Sequence, residues 1–115
     1  MGDTLRTSHT SLDFDAAWKA LADPIRRVLL ETLNDNQHFC RVDGQTVNGI
    51  CVQDLCALLA LPQSTVSRHL AILRQAGLVF HQQRGVWHYY SCHTERISQL
   101  RVWLETFGKL PEARD

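Results

Sequence analysis

This chain of 115 residues lacks several features that define other classes of protein. No apolar run approaches the roughly 20 residues that a helix needs to cross a bilayer, so no membrane partner is expected. Residues 1–13 contain no apolar stretch of the kind found in signal peptides, which favours a cytoplasmic protein with reduced thiols. The chain also has no phosphate-binding loop, no nucleophile elbow and no paired-carboxylate motif, so it is not expected to be an enzyme.

Acidic residues are missing from one continuous stretch. The whole sequence balances 12 basic against 12 acidic side chains, which by itself argues against a nucleic-acid partner. Residues 55–94, however, contain three arginines, four of the six histidines and no Asp or Glu. A local positive field without acids is expected of a surface that faces DNA. A chance gap is the alternative, but this gap coincides with the helix and the hairpin described next.

A short helix with two different faces is predicted between Pro62 and Gly77. Val66, Leu70 and Leu73 are spaced by four and three residues, which places them on one side of the helix. Gly77 can end the helix because glycine readily takes the left-handed conformation. Small or hydrogen-bonding groups without a carboxylate can approach base edges and phosphates in a major groove. The opposite side carries such groups, namely Ser64, Ser67, Arg68, Ala71 and Gln75.

Another short helix precedes this one. It is predicted to begin at Cys51 or Val52, with Asp54 near the positive end of the helix dipole. Its buried face is expected to comprise Val52, Leu55, Leu58 and Leu59. A break over residues 61–63 separates the two helices, and two short helices joined by such a turn form a helix-turn-helix.

After Gly77 the pattern changes to that of β-strands. Residues 78–81 and 86–90 are rich in β-formers, and residues 82–85 lie between them as a turn. They predict a two-stranded hairpin with a basic tip. A helix-turn-helix followed by such a hairpin is a winged helix, so the predicted fold is mostly α with a two-stranded β-wing.

Further elements are predicted on either side of this unit. A first helix covers about residues 12–22, and a second begins at Asp23-Pro24, because Asp can cap a helix and Pro is favoured at its first position. The second helix is expected to end near residue 35 and to bury Ile25, Val28, Leu29 and Leu33. Asp43-Gly44 and Asn48-Gly49 are turn signals. Residues 39–42 and 45–47 therefore predict a small hairpin, with an irregular loop as the alternative, and a last helix is predicted over residues 94–107.

These elements are expected to form one domain over residues 12–108, between flexible tails at residues 1–11 and 109–115. The first and last helices both carry tryptophan, and a small domain rarely has room to bury both. We therefore expect them to form a homodimer interface, the alternative being that they close the core of the monomer. The expected interface residues are Phe14, Trp18, Leu100, Trp103, Leu104 and Phe107.

Three stretches, in this order, resemble the ArsR/SmtB family of bacterial winged-helix repressors. They are Ala20 to Arg27 (ALADPIRR), Gln63 to Leu70 (QSTVSRHL) with Leu73 and Gly77-Leu78-Val79, and Arg84-Gly85 followed by Trp87-His88-Tyr89-Tyr90. Members of that family are typically dimeric repressors that leave DNA when a metal, metalloid or oxidant reaches their cysteines or other ligands. The resemblance implies the same for residues 14–107. A winged-helix module for protein interaction, or a DNA binder without inducer sensing, is the alternative.

The expected contacts to double-stranded DNA follow from the two predicted elements. The N-terminal half of the recognition-like helix would enter the major groove, and the wing tip would reach the backbone or the minor groove. His69 is either packed or a phosphate contact, whereas His81 and His88 are simplest as parts of the hairpin. A dimer predicts a two-fold symmetric operator. The expected DNA-binding residues are Gln63, Ser64, Thr65, Ser67, Arg68, His69, Gln83, Arg84 and Gly85.

The cysteines are the candidate inducer site. Arsenic-sensing members of the family that the chain resembles carry Cys-Val-Cys-Asp-Leu-Cys where this chain has Cys51 and Cys56 around Gln53. The resemblance implies that Cys51 and Cys56 bind arsenite, antimonite or another thiophilic ion as inducer. Cys40 could supply a third thiolate if the preceding loop folds back, and Cys92 only if the fold brings it near. Residues five apart are separated by about 500° around a helix, so the two could share an ion only if the first turn is unwound. A disulfide switch and purely structural cysteines are the alternatives.

Other metal sites are not expected from the sequence. The chain has no Cys-x-x-Cys pair of the kind found in structural zinc sites. Residues 94–107 contain no histidine, although the family's alternative zinc site on the last helix needs histidines paired with acids. No other cofactor is predicted.

Overall fold

The computed structural model describes residues 12–35, 39–42 and 45–108. The predicted tails and the predicted turn at Asp43-Gly44 lie outside these residues. The helices are α1 (Phe14–Leu21), α2 (Pro24–Asp35), α3 (Val52–Leu59), α4 (Gln63–Gln75) and α5 (Thr94–Gly108). The strands are β1 (Phe39–Val42), β2 (Gln45–Asn48), β3 (Ile50–Cys51), β4 (Val79–Arg84) and β5 (Trp87–Cys92).

Aspartate side chains start the first two helices, as the sequence suggests. The Asp13 carboxylate accepts a hydrogen bond of 3.1 Å from the backbone N–H of Ala16, which caps α1. The Asp23 Oδ1 atom accepts hydrogen bonds from the backbone N–H groups of Ile25 (2.8 Å) and Arg26 (3.3 Å). With Pro24 at the first helical position, this confirms the predicted start of α2.

The strands form two sheets, and one of them is larger than predicted. Strands β1 and β2 pair antiparallel, which confirms the small hairpin and excludes an irregular loop. The second sheet has the order β3-β5-β4: the predicted two-stranded wing is confirmed as β4 and β5, and a third strand is added to it. The extra strand β3 is only two residues long and pairs with Tyr89 and Tyr90 of β5.

Gly49 explains why the chain can add this third strand. Its φ is +128°, and a Cβ atom built on it would lie 2.5 Å from the carbonyl oxygen of Tyr90. Only glycine combines that conformation with so close an approach between two backbones. The sequence indicates a turn at Asn48-Gly49 but does not show which strand the chain then meets.

The turn of the wing is also shorter than predicted. Strand β4 continues through Arg84, which pairs with Trp87 at the start of β5. The turn is therefore Gly85-Val86, with Gly85 at a φ of +60°, rather than residues 82–85. A two-residue turn with a glycine at positive φ is a favoured hairpin connection, and it lengthens both strands.

The core is centred on the inner face of α4. Val66, Leu70 and Leu73 are fully buried, as predicted, in one cluster with Leu29 of α2 and Leu55 of α3. Two residues predicted to be buried are not: Val28 is 43% exposed and Leu58 is 55% exposed. Each of these helices, α2 and α3, buries only a narrow row of side chains against its neighbours. Val28 and Leu58 lie just outside that row.

Among the residues that the structure describes, no helix is both long enough and apolar enough to cross a bilayer.

Candidate nucleic-acid interface

The outer face of α4 carries the predicted DNA-contacting side chains. Gln63, Ser64 and Arg68 are exposed, and Thr65 and Ser67 are half-buried beside them. Because the opposite face of the same helix is buried in the core, these polar groups point away from the body of the domain. The structure therefore brings five of the predicted residues together on one surface.

The turn before α4 sets the direction of this face. Ala60 ends α3 in the left-handed conformation (φ 55°, ψ 45°), and the backbone N–H of Leu61 donates to the carbonyl of Cys56 at 3.2 Å. Pro62 then occupies the N-cap position of α4 without a side-chain hydrogen bond to the first turn. Backbone N–H groups left uncapped in this way can bind phosphate oxygens. Sequence reasoning missed Ala60, because alanine gives no signal for a left-handed residue.

The other end of α4 is closed by Gly77. At a φ of +80°, its N–H donates to the carbonyl of Arg74 at 2.9 Å, and the N–H of Leu78 donates to that of Leu73 at 3.0 Å. These two bonds end the helix as predicted. The Arg96 guanidinium of α5 lies over this end, and its Nη1 atom would be 2.6 Å from a Cβ on Gly77.

The wing places Arg84 next to its turn. Among the described residues, the Arg84 Nε atom is buried and has no hydrogen-bond partner. The Gln83 side chain donates to the carbonyl of Gly85 at 3.0 Å, which holds the turn. The tip itself is apolar, since Val86 and Trp87 are both exposed. The predicted basic tip is thus corrected to an apolar tip with Arg84 beside it.

His69 does not belong to the exposed face. Its side chain is only 6% exposed, and its Nδ1 atom is 3.1 Å from the Nη1 atom of Arg26 on α2. Its place among the DNA-contacting residues is therefore wrong, and the alternative of a packed side chain is right. The reason is geometric: residue 69 lies between Val66 and Leu70 on the buried side of α4.

His81 and His88 form a pair within the wing. The Nε2 atom of His81 is 2.7 Å from the Nδ1 atom of His88, and the two rings are stacked with centroids 5.0 Å apart. His81 also lies against the ring of Tyr90. Burial, and then the charges of Arg74 and His88, lower the pKa of His81 below its usual value. Both histidines thus hold the two long strands of the wing together.

The terminal helices pack against each other and leave an apolar face. The Trp103 ring of α5 lies 6.2 Å from that of Phe14 and 5.6 Å from that of Trp18, measured between centroids, and 4.8 Å from that of Phe107. Trp103, Leu104 and Phe107 remain 43%, 50% and 70% exposed. Leu100 is different: it is 4% exposed and belongs to the core of its own chain, so its assignment to a dimer interface is wrong.

The cysteines of the described region are free thiols in mostly apolar surroundings. Cys51 is buried with Val47 and Tyr89, and burial, followed by the charge of Asp54, raises the pKa of its thiol. Cys92 is half-buried, its thiol donates to the carbonyl of Leu30 at 3.7 Å, and burial raises its pKa. No three side chains of the metal-binding types come together within the described residues. The Cys40 side chain lies outside what the structure describes.

Comparison with known proteins agrees with this architecture. The sequence model of a family described as "Bacterial regulatory protein, arsR family" matches residues 49–80, which span β3, the helix-turn-helix and the start of β4. The chain is 35% identical over 92 residues to the HTH-type transcriptional regulator YbzH of Bacillus subtilis, covering 77% of this chain and 92% of that protein.

One further related sequence and one related structure support the same family. The arsenical resistance operon repressor of Bacillus subtilis is 32% identical over 87 residues, which cover 76% of this chain and 72% of that repressor. The fold is shared with a homodimeric winged helix-turn-helix DNA-binding domain from Mycobacterium bovis, at a TM-score of 0.59, 21% identity and coverage of 88% and 87% of the two chains. These proteins are regulators rather than enzymes. The chain therefore belongs to the ArsR family of bacterial regulatory proteins, as a DNA-binding transcriptional regulator with a winged helix-turn-helix.

Proposed function

We propose that this chain is a homodimeric repressor that reads a two-fold symmetric operator with α4 and releases it when a thiophilic inducer binds. The observation that carries the proposal is the division of α4 into a fully buried apolar face and an exposed polar face without an acid. Gln63, Ser64, Thr65, Ser67 and Arg68 are the groups that contact base edges and phosphates. Arg68 is the only charged one, and a guanidinium suits the paired acceptors of guanine.

The wing adds a second contact to each half-site. Arg84 carries a buried Nε donor without a partner among the described residues, and an unsatisfied buried donor is costly. If the Arg84 side chain turns outward on binding, a DNA phosphate beside the wing would satisfy this donor. Gln83 and Gly85 shape the turn, so that the exposed Val86 meets the groove or backbone first.

The dimer is built from the apolar face of α5. Trp103, Leu104 and Phe107 are large and exposed, and the Trp103 ring lies against those of Phe14 and Trp18 of α1. Aromatic side chains are enriched at the centres of protein interfaces. The homodimeric domain with the same fold supports this assembly. A second copy related by two-fold symmetry would cover the face and place two α4 helices about one turn of DNA apart.

For the inducer, we assign the thiols of Cys51 and Cys56, with Cys40 as the third ligand. Cys51 is the N-cap of α3 and has an extended backbone (φ −76°, ψ 158°), so it is free of the helical spacing that would separate it from Cys56. Cys40 on β1 is the register partner of Val47 on β2, and Val47 packs with Cys51. Directly opposite residues of such a pair are about 5 Å apart between Cα atoms.

The names of two relatives support a chemical class for the inducer. Two of them are named as arsenical resistance operon repressors, from Escherichia coli and Bacillus subtilis. Trivalent arsenic and antimony are soft and prefer thiolate ligands. We therefore propose arsenite or antimonite ahead of zinc or cadmium.

The operator can be found with the full chain and a pool of random-sequence duplexes. We expect repeated selection to enrich a two-fold symmetric sequence with half-sites about one helical turn apart, whose binding weakens steeply with added salt. Enrichment of no sequence, or binding that is independent of salt, would show that the chain does not read DNA.

The inducer is tested on the complex with that duplex. Arsenite, zinc, cadmium and peroxide are added to the wild type and to the serine variants of Cys40, Cys51, Cys56 and Cys92. We expect arsenite to release the duplex from the wild type and from Cys92→Ser, the matched control, but not from Cys51→Ser or Cys56→Ser. Release by peroxide alone would identify a disulfide switch, and no release by any agent would make the cysteines structural.

A further inference from the structure

The side chain of Arg26 joins three elements of the domain. Its Nε atom donates to the carbonyl of Ala20 at 2.7 Å, and its Nη2 atom donates to the carbonyl of Lys19 at 3.3 Å. Both carbonyls lie in the last turn of α1, where helical N–H partners run out, although that of Lys19 also accepts from the backbone N–H of Ala22 at 3.2 Å. The remaining nitrogen, Nη1, lies 3.1 Å from the Nδ1 atom of His69. Arg26, at the start of α2, therefore links the end of α1 to the recognition helix.

The base of Arg26 is itself held in place. The Asp23 Oδ1 atom accepts a hydrogen bond from the backbone N–H of Arg26 at 3.3 Å, which fixes the first turn of α2. The Asp23 carboxylate also interacts electrostatically with the Arg26 guanidinium. The guanidinium thus has few ways to move without breaking several bonds at once.

The chemistry of the contact fixes the state of His69. A guanidinium has only donors, so the Nδ1 atom of His69 must accept the hydrogen bond. The imidazole is therefore neutral and carries its proton on Nε2. A protonated imidazole has no lone pair to offer and would place a second positive charge beside Arg26. His69 is 6% exposed, so water has little access to replace the lost partner.

The position of this contact connects it to DNA binding. His69 follows Arg68 directly on α4, and Val66 and Leu70 on either side of it are fully buried. The packing of apolar side chains fixes the depth of α4 in the core but has little directional preference, whereas a hydrogen bond to a guanidinium is directional. Bidentate base contacts are also directional, so a small rotation of α4 would weaken them.

We propose that Arg26 and His69 are positioning residues for DNA recognition: their hydrogen bond sets the orientation of the recognition helix relative to α1 without touching DNA. This inference rests on the proposed reading of DNA by α4. It extends that proposal from the exposed face to the buried face. Since α1 also packs on α5 through Trp18 and Trp103, the same contact ties the direction of each α4 to the terminal helices.

The test uses two variants of similar size at position 69. The side-chain oxygen of His69→Asn can take the place of Nδ1 as an acceptor for Arg26, whereas His69→Leu cannot accept a hydrogen bond. Leucine has a higher helix propensity than asparagine. This effect alone would favour His69→Leu, so it cannot explain a weaker affinity of that variant. On the duplex selected by the wild type, we expect His69→Leu to bind roughly 5- to 150-fold more weakly, the equivalent of one base contact. His69→Asn should remain close to wild type.

A second pair of variants separates positioning from stability. When each substitution is combined with Arg26→Leu, the difference between asparagine and leucine should disappear, because no donor remains to be paired. Urea unfolding of every variant shows whether affinity merely follows the folded fraction. Nitrogen-15 NMR of the wild type should show His69 with its proton on Nε2, and this measurement needs no variant to fold.

The outcomes are distinct. Equal affinity of His69→Leu and the wild type, a persistent difference in the Arg26→Leu background, or a proton on Nδ1 of His69 would each overturn the positioning role. If those results occur while Arg68→Ala still loses affinity, only the positioning inference fails. If the wild type selects no duplex, the proposed function and this inference fail together.

Discussion

Gly49, the residue before β3, is in direct backbone contact with Tyr90 of the neighbouring strand β5. A Cβ atom on Gly49 would lie 2.5 Å from the carbonyl oxygen of Tyr90 and 2.9 Å from its carbonyl carbon. Because both obstacles are backbone atoms of the central strand β5, the overlap cannot be relieved by turning a side chain. The approach brings β3, and with it the start of α3, onto the sheet of the wing.

Gly49→Ala is therefore expected to destabilise the domain by at least about 2 kcal/mol, from steric overlap and from the positive φ together. Gly108→Ala is the matched control, since a Cβ there meets nothing within 4 Å, and it should stay within about 1 kcal/mol of wild type. Urea unfolding followed by circular dichroism measures both. Equal stability of the two variants would show that β3 can leave the sheet at no cost.

Arg68→Ala is expected to weaken specific DNA binding by roughly 1–3 kcal/mol, because the exposed guanidinium is the group best suited to a base contact. Lys19→Ala removes an equal charge from the exposed side of α1 and should leave the affinity close to wild type. Mobility shifts over a range of salt concentrations distinguish a base contact from a phosphate contact, because the loss of a phosphate contact also lowers the slope of the salt dependence by about one unit. If both variants bind like the wild type, Arg68 does not contact the operator.

Leu104→Asp is expected to separate the dimer into monomers, because symmetry places two uncompensated carboxylates in the interface, each costing on the order of 3 kcal/mol. Leu58→Asp is a close control: its leucine is also helical and is 55% exposed, against 50% for Leu104, but it lies on α3. Sedimentation at several protein concentrations measures the assembly. If Leu58→Asp dissociates the dimer and Leu104→Asp does not, the interface lies on α3 rather than on α5.

The affinity for a thiophilic ion is expected to rise with pH through the neutral range. Burial and then the charge of Asp54 raise the pKa of the Cys51 thiol, so the ion has to displace a proton when it binds. For each proton released, the affinity rises about tenfold per pH unit. Cadmium titration followed by thiolate absorbance gives the values, and a pH-independent affinity would exclude Cys51 as a ligand.

Stability is expected to fall as the pH drops below about 6.5, the usual pKa of histidine. Burial, then Arg74 and His88, lower the pKa of His81, and burial, then Arg96, lower that of His93. The unfolded chain therefore takes up protons in a range where the folded chain does not, which favours unfolding as acid is added. The loss of unfolding free energy between pH 7.5 and 5.5 should be smaller in His81→Gln. An equal loss in both proteins would contradict the role of His81.

The hydrophobic periodicity of the sequence and its helix-capping and turn-forming residues were sufficient to predict the helices and the paired strands. The spacing of Val66, Leu70 and Leu73 depends only on the geometry of one helix, and Asp23-Pro24 and Gly77 act on the backbone within a few residues of themselves. The exposed side of α4 follows from the buried side of the same helix. These are local relationships, and a single sequence contains all the information they need.

Contacts between distant segments were decided only by the tertiary structure. No local signal shows that Gly49 meets Tyr90, that Leu100 turns into its own core, or that His69 pairs with Arg26, 43 positions away. Each of these depends on how whole elements pack, because a side chain at the edge of an amphipathic stripe is buried or exposed according to what lies opposite. The sequence by itself thus determined which helix can read DNA, and the packing of α1 and α2 against it decided how that helix is held.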